Sequence, residues 1–145
     1  MSKSNAWETA LLLLLVNNTN AAAIGDATGL RGSTVAGSLY FSLHTADPGE
    51  AGDQTTSEAA YTSYARVAVA RSGAGFTVTA NAVATVADTV FPAGTGGTGT
   101  ATHWGLGTAS AGVGVLLYKG TITPNIVMGN AITPRLTLGT CITED

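Results

Sequence analysis

The chain has 145 residues, with six Lys+Arg against nine Asp+Glu and a pI near 5.1. Only 10% of it is charged while 45% is hydrophobic, and Ala (24), Thr (23) and Gly (19) fill 66 positions. This excludes charge-driven disorder, a heptad-based coiled coil, and the basic footprint expected of a nucleic-acid or anionic-membrane binder. What remains is one small, weakly charged, Thr/Gly-rich chain, long enough to bury a core without disulfides.

Ala10 to Val16 is the one long apolar run. Seven residues cannot cross a bilayer core, which needs about 20. As a secretory h-region it is long enough, and Ala21–Ala23 would offer a cleavage site, but the preceding segment carries only Lys3, offset by Glu8. A helix explains more. Asn5 is the expected N-cap, with Glu8 three residues on, and Trp7, Leu11, Leu14 and Leu15 share one face. Leu12 and Leu13 widen that face beyond what one sheet covers, so Trp7 and Leu11–Leu15 form the candidate interface. Asn17 to Asn20 stops the helix, and a Gly/Ala-rich arm runs to Gly37.

From Ser38 the pattern changes to a period of two. Leu39, Phe41 and Leu43 alternate with Tyr40, Ser42 and His44, which predicts a half-buried strand. Ala65 to Arg71 alternates again, with Val67 and Val69 on one side. After the turn-forming Ser72–Gly75, the segments 76–80, 83–91, 102–106 and 113–122 are further strand candidates. Two segments repeat at a period of ten: Ile122-Thr123-Pro124 to Gly129, and Ile132-Thr133-Pro134 to Gly139. Each Pro lacks an amide donor and so marks an edge, a bulge or a strand start. The expected fold is all-β: a single compact β-sandwich or barrel-like domain over 38–145, preceded by the short helix and arm of 1–37.

Candidate chemical sites are weak. Cys141 is a lone thiol and reads as a small apolar residue. Gly94, Gly96 and Gly99 match a dinucleotide fingerprint formally, but no helix pattern follows and no acid occurs between Asp88 and Glu144. The stretch reads as a flexible loop. Asp47, Glu50, Asp53 and Glu58 place four of the nine acids around Pro48-Gly49. Their spacing does not match a calcium loop, which uses alternate residues, so a solvated acidic turn is expected. No nucleophile elbow accompanies His44 or His103, and no carboxylate pair is apparent. The expectation is therefore no enzyme, no catalytic residue, no metal and no cofactor.

The stretch Ser38-Leu39-Tyr40-Phe41-Ser42-Leu43-His44-Thr45-Ala46-Asp47-Pro48-Gly49-Glu50 resembles a family of small tailed-phage virion proteins, often labelled tail fibre proteins. The resemblance continues through Tyr61-Thr62-Ser63-Tyr64-Ala65-Arg66-Val67-Ala68-Val69, Thr102-His103-Trp104-Gly105-Leu106-Gly107-Thr108 and Ile132-Thr133-Pro134. It implies a virion structural protein and transfers no catalytic residue. Fibres built from heptads or many short β repeats are not what this compact chain encodes. A capsid decoration (cement) protein is therefore the expected role. A tail fibre or tail-tip component, or a tail-tube or head–tail joining protein, is the alternative. The expected partners are further copies of the chain, as a trimer by the resemblance, and the major capsid or tail proteins.

Overall fold

The computed structural model describes residues 2–137 and 139–144. The protein is all-β with one short N-terminal helix and several antiparallel sheets. By its internal contacts the chain forms two compact units.

The first unit comprises Met1–Ser38, Val69–Ala87 and Leu138–Asp145. Its helix α1 spans Asn5–Asn17. The N-cap is Ser4, one residue before the expected Asn5, and its extended backbone lets the hydroxyl accept from the Trp7 amide. Glu8 therefore does not reach back as a capping-box acid. Instead Glu8, Leu12 and Val16 form the buried row at i, i+4 and i+8, while Trp7, Leu11 and Leu13–Leu15 stay half-buried. The inward face is thus rotated from the expected one. Leu12, at 0% exposure, is core and not a contact held open for a partner.

α1 packs on β3 (Phe76–Thr79) and β4 (Ala82–Thr85), which pair antiparallel, and β4 pairs in turn with β9 (Thr140–Thr143). Phe76, Val83 and Ile142 fill the core beside Leu12 and Val16. The Thr9 hydroxyl donates to the Ala80 carbonyl (2.9 Å), and Lys3 pairs with Glu144 (2.9 Å).

Residues 18–37 are folded back and not a loose arm. Ala21 and Leu30 exchange two backbone hydrogen bonds of 2.9 Å. Asn18 ends the helix in the left-handed region, and its side-chain amide brackets Ser33, accepting from the Ser33 amide (2.6 Å) and donating to its carbonyl (2.8 Å). Gly32 is required beside it, since a Cβ there would lie 2.3 Å from the Asn18 side-chain oxygen.

The second unit comprises Leu39–Ala68 and Asp88–Thr137. Its main sheet has the order β2-β1-β6-β7, built from β1 (Ser38–His44), β2 (Val67–Ala70, where the chain passes between units), β6 (Thr98–Gly107) and β7 (Leu116–Gly129). A two-stranded ladder of β5 (Thr89–Val90) and β8 (Arg135–Leu136) completes it.

Three strand expectations change. Residues 83–91 divide into β4 and β5 in different sheets, because the chain leaves the first unit at Ala87. The strand expected from Val113 starts at Leu116, and before it the Gly114 carbonyl accepts from the Gln54 amide (3.2 Å). The repeat copies are also unequal. The first lies in the edge strand β7, with Pro124 where the β6–β7 register lapses between Thr121 and Ile126. The second supplies only β8, with buried Pro134 just before it, and its Leu138 lies outside the described residues.

The glycine-rich stretch is pinned. Gly94 exchanges backbone bonds with Ile132 (2.9 Å) and Ala131 (2.8 Å), and Gly96 accepts from the Thr62 amide (3.0 Å). A Cβ at Gly94 would sit 2.1 Å from the Gly129 carbonyl oxygen, so close backbone approach explains this glycine.

Candidate functional site

The two faces of the main sheet differ because two strands alternate by residue size. On one face Leu39, Phe41 and Leu43 of β1 meet Leu106 and Trp104 of β6. The rings of Phe41 and Trp104 lie 5.9 Å apart and tilted. On the other face β6 offers Gly105 and Gly107, opposite Ser42 and Tyr40. A Cβ at Gly105 would lie 2.6 Å from the His44 ring, and one at Gly107 would lie 2.2 Å from the Gln54 side chain. The Trp-Gly-Leu-Gly motif thus packs apolar on one side and admits a polar layer on the other.

That polar layer is buried and closed. His44 Nδ1 donates to the Thr56 carbonyl (2.8 Å), which leaves Nε2 to accept from the Ser42 hydroxyl (2.8 Å). Both residues are 0% exposed, and burial holds the His44 pKa below its ordinary value. A serine against a histidine could suggest a nucleophile and base. Here the outer imidazole nitrogen binds a carbonyl instead of a carboxylate, and nothing opens the hydroxyl to substrate. His103, opposite His44 in the ladder, is half-buried and bonded at Nδ1 to the Thr102 hydroxyl (2.9 Å).

Beside this layer Glu58 receives Arg66 through two bonds, Nε to Oε1 (2.7 Å) and a terminal nitrogen to Oε2 (2.8 Å). The Tyr64 hydroxyl also donates to Glu58 (2.9 Å) while accepting from the Leu43 amide (3.1 Å). Two further donors of Arg66 reach the Ala109 (2.9 Å) and Gly112 (2.8 Å) carbonyls. Gln54 accepts from the Ala109 amide (2.8 Å). The β6–β7 connection is therefore held from beneath, and its outer residues Val113 and Val115 stay 77% and 63% exposed.

The acidic stretch resolves into separate tasks. Asp47 accepts from the Gly49 amide, and Asp53 from the Thr55 hydroxyl (2.6 Å) and amide (2.7 Å), which holds both carboxyls below the usual range. Lys119 of β7 pairs with Asp47 (3.0 Å) and Glu50 (3.3 Å). Glu58 leaves the expected solvated turn altogether and joins Arg66. Among the described residues no group of three His, Cys, Asp or Glu is placed to hold a metal, and no helix is long and apolar enough to cross a membrane. Burial pushes the Cys141 thiol up to about 11.

Sequence reading missed Arg66, Arg71 and Gln54. The signal for two of them was present: two of the chain's six basic residues bracket one short strand pattern, Ala65 to Arg71. Arg71 closes the first unit. Its guanidinium donates to the Leu14 (2.6 Å) and Leu15 carbonyls in the last helical turn, to Asn18 (2.8 Å) and to Ser33 (2.7 Å).

The residues behind the earlier resemblance therefore build one connected architecture: β1, the acidic turn, the Tyr61–Arg66 segment and the Trp-Gly-Leu-Gly strand. A family model described as podophage GP4 fiber I protein gp80 matches residues 2–140. The chain belongs to that family. It is a phage structural protein of the fibre type and a virion component. No curated protein matches the chain.

Proposed function

We propose that the chain is a non-enzymatic subunit of a fibre on the phage particle, acting by self-association and by binding other particle proteins. The observation that carries this is the match of almost the whole chain to a fibre family. The closed Ser42–His44 pair and the structural use of Glu58 and Arg66 support a scaffold role. Trp7, Leu11, Leu13, Leu14 and Leu15, half-buried on α1, are candidate contacts to neighbouring proteins.

A second reading is capsid decoration, favoured by the absence of heptads or serial repeats in the sequence. A fibre made from such units would be a stack of folded subunits and not an elongated single chain. Gold-labelled antibody on intact particles separates the two. Label on tail-associated appendages supports the fibre; label spread over the head shell supports decoration. Absence of label from particles containing the protein by mass spectrometry of the same preparation, with the antibody shown to bind denatured virions, would indicate an internal component and overturn both.

A further inference from the structure

We draw no further inference here: the strongest candidate, the apolar surface patch of Val113 and Val115 on the β6–β7 connection that Arg66 and Gln54 hold from beneath, carries nothing because nothing in the structure shows what covers it.

Discussion

Arg66 and Glu58 form a two-bond ion pair whose arginine side chain is only 2% exposed. Burying such a pair is costly unless further hydrogen bonds support it, and here four of the five guanidinium donors are bonded. Nε and Nη2 bind Glu58, while Nη1 donates to the Ala109 carbonyl and Nη2 also to that of Gly112. The pair therefore links the Tyr61–Arg66 segment to the β6–β7 connection. The bonded carboxylate also holds the guanidinium pKa above its ordinary value.

The first prediction is that Glu58→Gln destabilises the fold by about 3–5 kcal/mol, because it leaves a buried guanidinium without its counter-charge. Arg66→Lys should cost about 2 kcal/mol or more, since an ammonium cannot reproduce the planar fork. Chemical denaturation measures both. Losses under about 0.5 kcal/mol would show the pair to be solvated in solution.

The second concerns pH. Burial is the main cause lowering the His44 pKa; the Thr56 carbonyl and Glu58 oppose it, while Arg66 and His103 act with it. The unfolded histidine titrates near 6.5, so below that pH the unfolded chain takes up a proton that the folded chain resists. Protons bound in excess by the unfolded state mean that stability rises with pH. Stability should thus be intact above about pH 7 and fall as pH drops from 6.5 toward 5. His44→Gln, which can keep a donor and an acceptor without titrating, should flatten that slope. An equal slope in both proteins would locate the titration elsewhere.

Which parts of this were legible beforehand follows from what each residue answers to. β1, β2 and β3 were readable as strands from their alternation, but β1 is not half-buried as expected, since Ser42 and His44 on its polar face are buried as well. The helix was readable as an element but its inward face was not. Five consecutive leucines fit any rotation, and the choice fell to Thr9 meeting Ala80 and to Ser4 capping one residue early. The polar layer was hidden because Gly105 and Gly107 look like turn residues until Gln54 and His44 are seen to occupy their space. Such pairings join positions some 50 residues apart, and local periodicity carries no trace of them.

The third prediction places Arg71 as the clamp on residues 18–37. It caps the last helical turn through the Leu14 and Leu15 carbonyls and holds Asn18 and Ser33. Carbonyls at a helix C-terminus have no intrahelical partner, so a cation there is doubly favourable. Arg71→Ala should raise amide exchange across 14–36 at least tenfold while β6 and β7 keep their protection. Uniform exchange changes over the whole chain would mean global loss of stability and not release of this segment.

The last prediction separates two neighbouring leucines that look identical in sequence. Leu12 is 0% exposed among Val16, Phe76 and Val83, the core residues of the first unit, whereas Leu13 is half-buried on the helix flank. Leu12→Ser removes a packed side chain, leaves a cavity and buries a hydroxyl, which together cost about 3–5 kcal/mol. Leu13→Ser loses only part of one leucine's burial, about 1 kcal/mol or less. Thermal melts of the two single variants, at a concentration where the protein is monomeric, read the difference. If Leu13 lies in a contact with another particle protein, its variant should keep this melting temperature yet fail to incorporate into particles. Equal destabilisation by both substitutions would place Leu13 in the core as well and remove it from the candidate contacts on α1.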